Sequence, residues 1–190
     1  KWFAGETISV GIGQGYNAYT PLQLAQAIAT LAGDGVAYRP HIVNYIEDFR
    51  TRERTMVEAQ ILRTLDVRRE HLAVVKDALI GVNKEGTAAR SFAGAAYVSA
   101  GKTGTAQVIG VKQGEKYVES RVQEELRDHS LFIAYAPAEN PRIALAVIVE
   151  NAGFGARTAA PAARKVLDYY LLGKLPAPEK RRKDQHASDS

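Results

Sequence analysis

Apolar positions recur along the chain with two different periods. Leu24, Ile28 and Leu31 stand at i, i+4 and i+7 and predict a helix opening at Pro21. Thr20 is placed to cap it, Gln23 completes a capping-box pattern, and Gly33-Asp34-Gly35 stops it. A second helix is predicted over Val67–Val82, capped by Asp66, with Leu72, Val75, Leu79 and Val82 as its buried stripe. A third runs from Thr158 to Leu172 and turns Ala163, Val166, Leu167 and Tyr170 inward; Pro161 is tolerated in its first turn. Strands are expected at Tyr97–Ile109, Ser130–Ala136 and Arg142–Glu150, the last two joined by the turn Pro137-Ala138-Glu139-Asn140-Pro141. Residues Ile143–Val149 are apolar at every position. A strand of that kind is covered on both faces, so the sheet must lie between helices. The fold class is therefore α/β (α+β), an antiparallel sheet flanked by helices on both faces.

The segments between these elements read as connections. Thr7–Gly15 is glycine-rich, Val36–Ile46 is an extended arm and Glu47–Met56 a charged surface turn. Thr87–Ala96 is a small-residue loop. Gly110–Asp128 is a polar insertion, in which Val122 and Leu126 at i, i+4 allow a short helix.

Composition narrows the function classes. The 190 residues are 46% hydrophobic and 24% charged, the balance of one ordinary globular domain with a tail. The most apolar run is far too short to cross a bilayer, and Lys1-Trp2-Phe3 leads into no apolar leader segment. Without cysteine there is no disulfide, thiolate metal site or cysteine nucleophile. The formal charge is +4, half of it contributed by residues 180–190 through the run Lys180-Arg181-Arg182-Lys183. With no aromatic or apolar anchor there, residues 176–190 read as a disordered basic tail following a domain of residues 1–175. No basic stripe with interleaved aromatics marks a nucleic-acid surface.

The string richest in chemistry is Ser99-Ala-Gly-Lys102-Thr103-Gly104-Thr105-Ala106-Gln107-Val108. On a strand, Thr103 and Thr105 share a face. Gly104 removes the side chain that would hold a ligand off the backbone, the Thr105 N–H can donate to a developing oxyanion, and Lys102 supplies positive charge for a carboxylate. The pattern suits anion binding in acyl transfer. Gly11-x-Gly13-x-Gly15 is not a dinucleotide fingerprint and reads better as a loop beside the active site. His41, His71, His129 and His186 lack metal-ligand spacing. Asp128-His129 reads as a hydrogen-bonding corner before an acid–base pair.

Trp2-Phe3, Gly11–Gly15, Thr20–Ala29, Gly101–Val108, Arg127-Asp128-His129 and Pro137–Asn151 together make the chain resemble the transpeptidase domain of class B penicillin-binding proteins, most closely the elongation-type (penicillin-binding protein 2) members. Lys-Thr-Gly is the third motif of that superfamily. The resemblance covers residues 1–172 and implies a penicillin-binding protein/β-lactamase-like fold, incomplete in this chain. It also implies a serine acyl-enzyme that cross-links peptidoglycan stem peptides and is trapped by β-lactams, with no cofactor and no metal. Lys102, Thr103 and Thr105 would bind the substrate's terminal carboxylate, Gly104 would lie against the substrate, and Lys102 and the Thr105 N–H, which would complete the oxyanion hole, would be the catalytic groups of this chain. The parent would be periplasmic, anchored to the inner membrane by an N-terminal helix not in this chain, and partnered by a membrane glycosyltransferase of the elongation machinery. A division-type transpeptidase, a D,D-carboxypeptidase and a non-catalytic interaction domain are the alternatives. The family's Ser-x-x-Lys and Ser-x-Asn motifs do not occur in working form. None of the seven serines begins Ser-x-Asn, and Ser99-Ala-Gly-Lys102 borrows the lysine of the third motif. Ser and Lys activate one another at i, i+3 on a helix, whereas on a strand they point to opposite faces. The nucleophile is expected outside this chain, and the chain alone is expected to be inactive.

Overall fold

A computed structural model describes residues 2–109, 118 and 121–174. The basic tail expected at 176–190 and much of the polar insertion lie outside the described residues.

The core is a three-stranded antiparallel sheet in the order β5-β6-β7, formed by β5 (Ala100–Ala106), β6 (His129–Ala136) and β7 (Ile143–Val149). Lys102 stands opposite Ile133, Thr103 opposite Phe132, and Thr105 opposite Ser130. Ile143 through Val149 pair with Ala136 through Ser130 in continuous register. Side chains alternate across the pleat. Phe132, Ala134 and Ala136 point to one face, where α4 (Ala89–Phe92) and α5 (Ala159–Leu172) cover them. Ala100, Ile133, Tyr135 and Ala144 point to the other, where α2 (Pro21–Ala32) brings Ile28 and Ala32, and α3 (Arg69–Lys84) brings Leu79 and Ile80. The sheet is thus sandwiched, as the unbroken apolar run of β7 requires.

The capping box on α2 is present. The Gln23 N–H donates to Thr20 Oγ1 at 3.2 Å, and the Thr20 N–H donates to Gln23 Oε1 at 2.8 Å. Gly33 ends the helix.

Other expectations are corrected. The segment expected as a glycine-rich loop begins with a helix, α1 (Ala4–Gly11), and only the residues after Gly11 form the loop. The arm and the charged turn contain three short strands, β1 (Val36–Tyr38), β2 (Tyr45–Glu47) and β3 (Arg54–Met56), and a fourth, β4 (Ile61–Thr64), follows them. They pair antiparallel as β1 with β4 and β2 with β3. Strands of three or four mostly exposed residues carry almost no apolar alternation to read. The small-residue loop holds the one-turn helix α4. The strand foreseen over Tyr97–Ile109 is confined to Ala100–Ala106. The short helix near Val122 and Leu126 is a 3₁₀ turn at Glu124–Leu126.

The cap and stripe of the second helix also move. Arg68 occupies the N-cap position of α3 with no side-chain cap bond, so Asp66 is not the cap. The Leu65 N–H is bonded to the Gly35 carbonyl at 2.8 Å, and the chain coils only after Arg68, whose backbone is extended. Along α3 the inward positions are Leu72, Lys76, Leu79, Ile80 and Asn83, at i, i+4, i+7, i+8 and i+11, and Val82, expected inward, is partly buried against the core. Val75 sits beside that stripe and is exposed. Lys76 takes the inward place because its ammonium reaches the open C-terminal end of α2, donating to the Ala32 carbonyl at 3.1 Å and to Asp34. Its methylene stem packs while its charge meets the negative end of a helix. The Lys76 hydrogen bond and charge hold the Asp34 carboxyl below its usual range. On α5 the buried face is Ala159, Ala160, Ala163 and Leu167; Val166 and Tyr170, expected inward, are about half exposed. Alanines let the helix approach Ala134 and Ala136 closely, and the stripe runs one residue aside from the bulky pair.

Candidate functional site: the outer edge of β5

Among the described residues β5 has β6 as its one strand neighbour. Two backbone carbonyls on its other side are taken by side chains. Lys102 Nζ donates to the Thr103 carbonyl at 2.9 Å, and Gln14 Nε2 donates to the Thr105 carbonyl at 2.8 Å. In an antiparallel strand the N–H and C=O of one residue point to the same side. The Thr105 N–H therefore faces this outer edge, as an oxyanion donor must. Lys102 is exposed, and Thr103, Gly104 and Thr105 are partly buried.

The glycine loop reaches this edge from 91 residues away in the chain. Gly13 and Gly15 have φ of 83° and 67°, the left-handed region where glycine is favoured. They turn the backbone sharply on both sides of Gln14, and Asn17 Nδ2 clamps the loop through the Val10 and Gln14 carbonyls at 3.0 and 3.1 Å. The loop therefore packs against the outer edge of β5.

Behind the strand, Gly155 lies so close that a Cβ there would stand 2.3 Å from the Leu131 carbonyl oxygen and 2.5 Å from that of Gly104. Only glycine permits this approach. From the α3–α4 corner, the Thr87 hydroxyl meets the Thr103 hydroxyl at 2.9 Å. Neither contact is visible in sequence, because each joins segments whose local patterns say nothing of the other.

Ser99 is 5% exposed and its hydroxyl accepts from Asn83 Nδ2 at 2.9 Å. It precedes the strand and is buried, whereas Lys102 is exposed, so the two are not an activated pair. Asp128 and His129 form a corner. The Asn151 N–H donates to His129 Nδ1 at 3.0 Å, the Gly153 N–H to the Asp128 carbonyl at 2.8 Å, and the Val108 N–H to Asp128 Oδ1 at 3.4 Å. Accepting at Nδ1 places the neutral ring's proton on Nε2. Asn151 Nδ2 also donates to the Glu125 and Arg127 carbonyls at 2.8 and 3.1 Å. The Ser130 hydroxyl, fully buried, accepts from the Ala159 N–H at 3.0 Å and fixes the start of α5 on the sheet.

A second polar group ties α5 to the approach of β5. Arg164 Nε and the Tyr97 hydroxyl both donate to Asp168 Oδ1 at 2.8 Å. Burial pulls the Asp168 carboxyl upward, but these two bonds and the Arg164 charge outweigh it and hold it below its usual range. Burial, with the bond to Asp168, pushes the Tyr97 hydroxyl well above its usual range. Tyr97 therefore stays protonated and acts as a donor. Among the described residues no group of three or more His, Asp or Glu is placed to hold a metal ion, and no helix is long and apolar enough to cross a membrane.

Comparison with known proteins agrees with this architecture. The peptidoglycan D,D-transpeptidase MrdA of Haemophilus influenzae is 44% identical over 184 residues, covering 94% of this chain and 28% of the relative. The crystal structure of Pseudomonas aeruginosa PBP2 in complex with WCK 5153 superposes with a TM-score of 0.72 at 39% identity, over 93% of this chain and 36% of that one. Penicillin-binding protein A of M. tuberculosis, as an imipenem acyl-enzyme complex, gives a TM-score of 0.68 at 29% identity, over 86% and 33%. The chain thus spans a little over a quarter of the length of the curated relative it matches. The antiparallel sheet between two helical layers is the penicillin-binding protein/β-lactamase-like fold of these structures. Residues 1–168 match the family described as the penicillin binding protein transpeptidase domain, and a match over nearly the whole chain means that the chain belongs to that family.

Proposed function

We propose that residues 1–175 are the C-terminal portion of the transpeptidase domain of a peptidoglycan D,D-transpeptidase, and that the outer edge of β5 is its carboxylate and oxyanion subsite. The observation that carries this is the turning of Thr103 and Thr105 backbone groups to the open edge beside the exposed Lys102. A serine outside this chain attacks the carbonyl carbon of the D-Ala-D-Ala bond and forms an ester, and the terminal D-Ala leaves as the amine. An amine of a neighbouring stem then attacks that ester, forms the cross-link and releases the serine. Lys102 and the hydroxyls of Thr103 and Thr105 hold the terminal carboxylate. Gly104 lets the substrate lie against the backbone, and the Thr105 N–H stabilises the oxyanion of each tetrahedral intermediate. β-Lactams enter as substrate mimics, which accords with the acyl-enzyme complex of the similar mycobacterial protein. The likeness to MrdA and PBP2 favours the elongation role over division or carboxypeptidase roles. In this reading the whole protein works at the periplasmic face of the inner membrane, held by an N-terminal helix outside this chain and paired with a membrane glycosyltransferase; the likeness to MrdA supports the periplasmic setting.

Intact-mass and peptide mapping after exposure to penicillin test this reading. The full-length protein is expected to gain one penicilloyl group, on a serine outside residues 1–190, while the chain alone gains none. An adduct on Ser99, or a full-length protein with no adduct, would overturn it.

A further inference from the structure

Thr103 is held from outside its own strand. Its hydroxyl lies 2.9 Å from that of Thr87, which stands in the corner between α3 and α4. The corner is tightly built. The Gly86 N–H donates to the Gly81 carbonyl at 2.9 Å and the Ala88 N–H to the Val82 carbonyl at 3.1 Å. Ala88 is 1% exposed, and a Cβ on Gly86 would stand 2.8 Å from the Val82 Cα. The backbone on both sides of Thr87 is therefore pinned, and its side chain is delivered to Thr103 from a fixed point.

A hydroxyl has one proton and two lone pairs. If Thr103 donated to Thr87, it would present only lone pairs to an arriving carboxylate and would repel it. If Thr87 donates, the Thr103 proton is left for the anion, and the two bonds polarise in the same sense. A carboxylate at the edge selects the second arrangement, because it accepts and cannot donate. We propose that Thr87 is a positioning residue, which donates to Thr103 and so directs the Thr103 proton toward the substrate carboxylate at the outer edge of β5. This rests on the reading of Thr103 as a carboxylate-binding residue and adds to it a residue from a different element.

The test is a double-mutant cycle in the full-length protein, reading the second-order rate constant of acylation by benzylpenicillin together with the thermal midpoint. Thr87→Val and Thr87→Ala should each slow acylation about three- to tenfold, the value of one net hydrogen bond. The thermal midpoint should not move, because the side chain is exposed. Thr87→Ser should recover most of the rate. In a Thr103→Val background, Thr87→Val should cost nothing further, since its action passes through the missing hydroxyl. A wild-type rate in both Thr87→Val and Thr87→Ala, an undiminished loss in the Thr103→Val background, or a loss that Thr87→Ser does not recover would overturn the proposal. If wild-type protein forms no adduct, the functional reading fails and this proposal falls with it. If wild type is acylated and the Thr87 variants match it, only the proposal fails.

Discussion

The two edges of the three-stranded sheet are opposites. The β5 edge runs Lys102-Thr103-Gly104-Thr105, and its outward carbonyls are met by the side chains of Lys102 and Gln14. The β7 edge runs Ile143 to Val149 without a polar residue, and β6 is its one strand neighbour among the described residues. A polar edge cut by glycine admits something small and charged. A long, flat, uncharged edge is a template for another strand, and proteins do not leave such edges open. On the proposed reading, the same hydrogen-bonding geometry would serve a ligand on one side of the sheet and a further strand on the other. Side-chain chemistry alone tells the two apart.

That contrast can be broken at β5 first. In the full-length protein Lys102→Ala should slow acylation by about 10²–10³, because a lost charge-assisted contact to a carboxylate or oxyanion costs ~2–4 kcal/mol. Stopped-flow acylation kinetics of the folded variant decide this, and a wild-type rate would remove Lys102 from the site. Gly155→Ala strikes the same edge from behind. Its Cβ would collide with the Leu131 and Gly104 carbonyl oxygens. The strain should cost about 1–3 kcal/mol, read as a lower thermal midpoint with slower acylation.

The β7 edge is probed by Ile148→Lys. Ile148 is 40% exposed in this chain. A neighbouring strand in the complete domain would cover it, so the substitution should cost the full-length protein about 1–2 kcal/mol while improving the solubility of the isolated chain. An unchanged midpoint in the full-length protein would mean that β7 is an exposed edge there too.

The smallest effect is expected away from both edges, at Asp168. Its folded pKa lies below the unfolded value of about 3.9 because Arg164 and Tyr97 bond the carboxylate. The stability it contributes is therefore complete above that pH and lost as pH falls through the depressed folded value. Urea melts between roughly pH 2 and 6 should show a shallower acid loss in Asp168→Asn, with acylation at neutral pH unaffected.

The parts of this molecule legible in sequence are those whose signals are local. The capping box at Thr20 and Gln23, the β6–β7 hairpin and its doubly apolar second strand, and the Lys102–Thr105 string each lie within a few residues. What was not legible is the meeting of distant segments. Gln14 on Thr105, Thr87 on Thr103 and Gly155 on Gly104 are set by packing, and no periodicity announces them. The α3 stripe shows a subtler failure. Apolar spacing alone selects Val75, whereas Lys76 faces inward because the end of α2 supplies acceptors for its ammonium. Glycine likewise concealed α1, since a helix with Gly5 and Gly11 in it reads as a loop by propensity alone.

Hydrogen–deuterium exchange of the full-length protein, with and without penicillin, tests the contrast between the edges most directly. Amides of Ile143–Val149 should exchange slowly in both states, paired to β6 on one side and, on the proposed reading, to a further strand of the complete domain on the other. The Thr105 amide should slow only after acylation, when the bound acyl group accepts its hydrogen bond. Penicillin-dependent protection along Ile143–Val149, or a Thr105 amide indifferent to acylation, would contradict the account.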